Sequence, residues 1–110
     1  MSKDVSNVWK DDTARQLAEA LVAIDDQKTM QNFLRDVLTE KEIVEISARL
    51  EAARMLKNGD RYTDITAKTK LSSRTVARIS DWLQNGSNGY EYALEIIGTH
   101  HRHISPARAE

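Results

Sequence analysis

Residues 61–83 read Arg61-Tyr62-Thr63-Asp64-Ile65-Thr66-Ala67-Lys68-Thr69-Lys70-Leu71-Ser72-Ser73-Arg74-Thr75-Val76-Ala77-Arg78-Ile79-Ser80-Asp81-Trp82-Leu83. Two short helical stretches, around 61–69 and 73–84, meet at a turn. Ile65 is the core residue of the first, and the small Thr66 beside it permits close helix approach. Leu71 plugs the turn. Ser72 or Ser73 supplies the side-chain oxygen that caps the second helix. Val76, Ile79 and Leu83 step i, i+3, i+7 and form its apolar stripe. Ser73, Arg74, Thr75, Ala77 and Arg78 are left on the other side, near the helix N-terminus. This is the pattern of a helix-turn-helix, whose second helix presents those positions to the major groove of DNA.

The side chains suit that task. An arginine bonds guanine O6 and N7 bidentately, while serine and threonine hydroxyls suit phosphates or base edges. The helix N-terminus adds its own attraction for phosphate. The expected DNA-facing set is Lys68, Ser72, Ser73, Arg74, Thr75, Ala77 and Arg78. Charge is placed accordingly. The whole chain is net −1, but residues 60–84 hold five cations (Arg61, Lys68, Lys70, Arg74, Arg78) against three anions (Asp60, Asp64, Asp81), a net of +2. One position departs from the pattern. Many such turns carry glycine, where φ is positive; here the residue is Lys70, so either the turn is of another type or the lysine tolerates the strain. Spacing alone also leaves open a second reading, two amphipathic helices packed in an ordinary small bundle.

Upstream, Leu17, Ala18, Leu21, Val22 and Ile24 mark an apolar stripe at helical spacing. Asp25-Asp26-Gln27 breaks it and offers a carboxylate cap for the next helix. Met30, Phe33, Leu34, Val37 and Leu38 follow the i, i+3, i+4, i+7, i+8 pattern of a strongly amphipathic helix. Thr39-Glu40-Lys41-Glu42 has the form of a capping box. The helix it starts runs to about Lys57, with Ile43, Ile46, Leu50, Ala53 and Leu56 on one face, and Asn58-Gly59 supplies its stop. Downstream, Asn85-Gly86-Ser87-Asn88-Gly89 is the strongest breaker cluster. A final helix over 90–97 turns Tyr90, Ala93, Leu94 and Ile97 inward. The expected organisation is an N-terminal arm over 1–12, a helical domain over 13–97, and a mobile polar tail over 98–110.

Composition narrows the function. The chain has 110 residues, 40% hydrophobic and 30% charged, the balance of one small globular domain. It has no cysteine, which excludes disulfides, thiolate metal sites and cysteine nucleophiles. No apolar run approaches the ~20 residues of a membrane span, and Met1 to Val5 lack the apolar stretch of a signal peptide. A cytoplasmic protein is expected. The paired carboxylates Asp11-Asp12, Asp25-Asp26 and Glu40/Glu42 stand at helix starts, where they complement the macrodipole. His100, His101 and His103 lie in the polar tail, where no set of convergent metal ligands is expected. No nucleophile–base constellation or phosphate loop is present. The chain reads as a non-enzyme without cofactor or metal.

Residues from about 33 to 94 resemble the Trp-repressor-like proteins, especially the Trp-repressor-related YerC/YecD group. The resemblance rests on Phe33-Leu34, Leu38-Thr39 before Glu42-Ile43, Arg49-Leu50-Glu51, Met55-Leu56 and Gly59. It continues through Tyr62, Ile65, Ser72, Thr75-Val76-Ala77-Arg78 and the linker Asn85 to Tyr90. It implies an all-α fold of about six helices in an intertwined homodimer, with the N-terminal helices of one chain packed on the other. Amphipathic helices near 17–24, 30–38, 43–56 and 90–97 independently offer much apolar surface for one small core.

In the Trp repressor two arginines flank the indole of bound tryptophan, and Arg49 and Arg78 match them. Thr39 matches the threonine beside the ligand's polar end. The glycine after the second arginine is Ile79 here, and a serine three residues later is Trp82. Both add bulk where an indole would sit, so the resemblance with these departures implies a pocket filled by the protein's own side chains. Arg49 is then expected to pair with Glu45, Arg78 to meet phosphate, and free tryptophan not to bind. Two functions remain: a dimeric, sequence-specific DNA-binding transcriptional regulator, expected to be a repressor, and a dimeric helical adaptor that holds another protein through the same surface.

Overall fold

The capped turns of the sequence become a chain of six α-helices and no strand among the described residues. The computed structural model describes the backbone of residues 5–108 and the side chains of residues 7–98. A 3-10 turn, Val5–Lys10, precedes α1 (Asp12–Ala23) and α2 (Gln27–Val37). Then follow α3 (Glu40–Lys57), α4 (Tyr62–Thr69), α5 (Ser73–Asn85) and α6 (Gly89–Arg108). The chain divides into two compact units, one up to Ile43 and one from Val44 onward.

In the first unit each helix starts on an aspartate. Asp11 accepts from the Ala14 N–H at 3.2 Å, and Asp26 from the Thr29 N–H at 2.8 Å and the Thr29 hydroxyl at 2.6 Å. The Thr29 hydroxyl and N–H both favour the charged form of Asp26 and hold its carboxyl below the usual range. The two amphipathic stripes exist but are not closed over. Neither α1 nor α2 contains a buried residue. Leu21, Phe33 and Leu34 are half-buried, while Val22 is 83% and Val37 51% exposed.

The capping box forms at the start of α3. The Thr39 N–H donates to Glu42 Oε1 at 2.9 Å, and the Glu42 N–H donates to Thr39 Oγ1 at 3.1 Å. At the far end Gly59 takes φ +87°. Its N–H bonds the Leu56 carbonyl and the Asp60 N–H bonds the Met55 carbonyl, each at 3.0 Å, a Schellman stop. The inward face of α3 differs from the expected one. Ala52, Ala53 and Met55 are buried, whereas Ile46 is 51% exposed. Only the C-terminal half of α3 meets the core of the second unit, so the apolar stripe is covered there and open further up.

That core is Ala52, Ala53, Met55, Ile65, Val76 and Ile79, with Leu56, Leu71, Leu83, Tyr90 and Leu94 packed around it. It joins α3, α4, α5 and α6. Ile65, Val76 and Ile79 are fully buried; each contributes about 1.5–3 kcal/mol relative to an exposed side chain. Lys57 Nζ to Glu91 Oε2, at 3.1 Å, ties α3 to α6. Between α5 and α6, a Cβ on Gly86 would stand 2.5 Å from the Trp82 carbonyl oxygen, so only glycine fits that exit.

α6 is longer than its apolar pattern. The expected inward residues Tyr90, Ala93 and Leu94 are half-buried, but Ile97 is 37% exposed, and the helix continues past it to Arg108. The apolar periodicity ends at Ile97, yet a backbone ladder needs only permissive residues to continue. The histidines at 100, 101 and 103 lie on this extension, with side chains outside the described residues. The first four residues, and the last two, are likewise outside them.

Candidate nucleic-acid interface

The joint between α4 and α5 is built by small polar side chains. Thr69 Oγ1 donates to the Ile65 carbonyl at 2.7 Å and accepts from the Leu71 N–H at 3.2 Å. It thus closes α4 and opens the turn with one hydroxyl. The sequence reading missed Thr69; a β-branched hydroxyl at the last helical position was the available signal. Lys70 follows in the left-handed region, φ 65° and ψ 10°, its N–H on the Thr66 carbonyl. The turn is therefore the positive-φ type, and the lysine bears a strain of roughly 1 kcal/mol. Leu71 is half-buried against the core.

Ser72, not Ser73, is the N-cap. Its Oγ accepts from the Thr75 N–H at 3.1 Å and donates to Thr75 Oγ1 at 3.1 Å. Thr75 is half-buried, while Ser73, Arg74, Ala77 and Arg78 are exposed along one side of α5. Val76 and Ile79 on the opposite side are fully buried, so the orientation of α5 is set by its own stripe.

The described arginines divide into two groups. Arg15 pairs with Asp12, Arg49 with Glu45 at 3.0 Å, Arg54 with Glu51 and Arg61 with Asp64 at 3.7 Å. Arg35 reaches the Leu38 carbonyl at 3.4 Å. Arg74 and Arg78 have no hydrogen bond or ion pair among the described residues. The helix that a helix-turn-helix offers to DNA therefore carries two uncommitted guanidinium groups.

Lys68 differs from them. Its Nζ lies 3.1 Å from Glu51 Oε2, linking α4 to α3, although the side chain remains 61% exposed. Arg54 bonds the same carboxylate twice, Nε to Oε1 at 3.0 Å and Nη2 to Oε2 at 2.7 Å. The Arg54 hydrogen bond first, and that of Lys68 after it, outweigh partial burial and hold the Glu51 carboxyl at about 2. A carboxyl depressed in the folded state stabilises the fold above its unfolded pKa, and that contribution fades as pH falls from about 4.5 toward 2. The urea midpoint of wild type should exceed that of Glu51→Gln at pH 6, and the gap should shrink at pH 3. A gap that stays constant between the two pH values contradicts this account.

The positions that match a tryptophan site are also placed. The Arg49–Glu45 pair forms as expected, and Arg49 Nε is buried without a partner among the described residues. The Tyr90 hydroxyl is pushed up by burial, with the Arg49 guanidinium acting the other way. Ile79 is fully buried in the core, but Trp82 remains 42% exposed. Of the two bulky replacements, only Ile79 is wholly enclosed. Among the described residues no three His, Asp or Glu side chains come together as metal ligands. No described helix is long and apolar enough to cross a membrane.

Comparison with known proteins agrees with this architecture. The model of the Trp repressor protein family matches residues 12–97. The uncharacterized protein YerC of Bacillus subtilis is 35% identical over 82 residues, 74% of this chain and 79% of YerC. A TrpR-like protein from Eubacterium eligens has a crystal structure that superposes with a TM-score of 0.78 at 35% identity, covering 84% of this chain and 95% of that one. The structure of a candidate Trp repressor from Staphylococcus aureus gives 0.79 at 26% identity, covering 88% and 96%. With a family match from α1 to the middle of α6 and a relative 35% identical over 74% of this chain, the chain belongs to the Trp repressor family.

Proposed function

We propose that the protein is a sequence-specific DNA-binding transcriptional regulator that acts as a cytoplasmic homodimer, without enzymatic activity. The observation that carries this reading is the pair Arg74 and Arg78, exposed on α5 and free of the carboxylates that engage other arginines of the chain. Family membership supports it, since Trp repressor proteins are DNA-binding regulators. Ser73 and Ala77 share the exposed side of α5; the Ser72 and Thr75 side chains chiefly cap it. Lys68, held by Glu51, is an outlying phosphate contact.

The reading is tested by selecting binding sites from random duplexes with the purified protein. A two-fold symmetric site should emerge, with half-sites about 34 Å apart, the spacing of helix-turn-helix dimers including the Trp repressor. Affinity should fall steeply with salt, as several phosphates are neutralised. No enrichment, together with salt-insensitive capture of a protein partner, favours the adaptor.

Free tryptophan plays no part in this activity. Ile79 is enclosed in the core, where it adds bulk at a position that is small in the repressor, and Arg49 pairs with Glu45. Calorimetric titration of the purified protein with tryptophan should give no saturable heat. A micromolar dissociation constant refutes this part of the proposal.

A further inference from the structure

We infer that Lys70, in the turn between α4 and α5, is a further DNA-phosphate contact, held there at the expense of backbone strain. The inference rests on the DNA-binding reading above and adds to it a residue outside the set expected from the sequence.

Three described residues have positive φ: Gly59 at 87°, Asn88 at 69° and Lys70 at 65°. Glycine and asparagine are the residue types that visit this region readily; a lysine does not. The chain uses the relaxed solution at the end of α3 and at the entry to α6, and departs from it only at the turn that leads into the proposed reading helix. A strained residue at such a place points from geometry to function.

The charge is also unspent. Lys70 Nζ has no ion pair among the described residues and makes one hydrogen bond, to the Ala67 carbonyl at 3.2 Å. An ammonium has three donors, so two remain for a ligand. Lys70 stands two residues before the cap Ser72, beside the first-turn N–H groups of α5, which themselves favour an anion. The Lys68 ammonium, by contrast, is held by the Glu51 carboxylate. A phosphate at the mouth of α5 would meet the Lys70 ammonium and the helix N-terminus together.

The competing role is a cap for the last carbonyls of α4, which the bond to Ala67 supplies in part. Glycine and asparagine separate the two roles, because both relieve the strain and remove the charge. Lys70→Gly, Lys70→Asn and Lys70→Arg are compared with wild type and Arg78→Ala by fluorescence anisotropy on a selected and a scrambled duplex across a salt series. Circular dichroism follows each melt. Lys70→Gly and Lys70→Asn should melt no lower than wild type, yet bind both duplexes about three- to tenfold more weakly at moderate salt, with the salt slope lower by about one unit. Lys70→Arg should bind with the wild-type salt slope. If the neutral variants keep wild-type affinity and slope while Arg78→Ala loses slope, the inference about Lys70 is overturned and the DNA reading stands. A lower melting temperature with an unchanged slope assigns Lys70 to capping and overturns it equally. If wild type binds no duplex in a salt-dependent way, both readings fall.

Discussion

Arg74→Ala should weaken binding to a selected duplex by roughly 1–3 kcal/mol and relax discrimination at one base pair. Arg74 lies in the first turn of α5, on the side away from the buried Val76, where a side chain reaches base edges in the major groove. Arg78 is one turn further along. Its replacement by alanine should weaken all DNA sequences alike and lower the salt slope by about one unit, the behaviour of a phosphate contact. The two effects separate in one experiment, anisotropy of both variants on a selected and a scrambled duplex over a salt series. Neither arginine has a partner among the described residues, so neither substitution removes a described contact of the fold, and both variants should keep wild-type circular dichroism. If both also bind DNA like wild type, α5 is not the reading helix.

The melting temperature should rise by about 3–6 °C for each tenfold increase in protein concentration. Dissociation into two chains on unfolding links stability to concentration by mass action, and a tenfold change is worth about 1.4 kcal/mol, or a few degrees for a dimer of this size. The motive is an unclosed apolar surface. Neither α1 nor α2 has a fully buried residue, and Leu17, Val22, Val37, Val44 and Ile46 are exposed at 47%, 83%, 51%, 63% and 51%. Helices this short gain most of their stability from a packed face rather than from propensity. Val22→Asp sharpens the test. In a monomer an exposed valine can be replaced almost without cost, whereas a carboxylate placed in an apolar interface would lower the melting temperature sharply. A concentration-independent melt with a monomeric mass in solution disproves the dimer.

The sequence by itself determined the six helices and the helix-turn-helix, because their signals are local. Asp26, Thr39, Ser72 and Gly59 each act within a few residues of themselves, and each does in the structure what its position implied. The apolar stripe of α5 likewise settled which side of that helix faces away from the core. What only the tertiary structure decided lies where two distant stretches compete for the same group. The ion pair of Lys68 with Glu51, seventeen residues away, is of this kind. Arg54 and Arg61, by contrast, pair with carboxylates three residues away, Glu51 and Asp64, which helical spacing already makes neighbours. The exposure of Ile46 and Ile97 also lay beyond the sequence. Periodicity marks a side chain as apolar and on one face, but whether that face is covered depends on where another element ends, and no spacing within the helix records that.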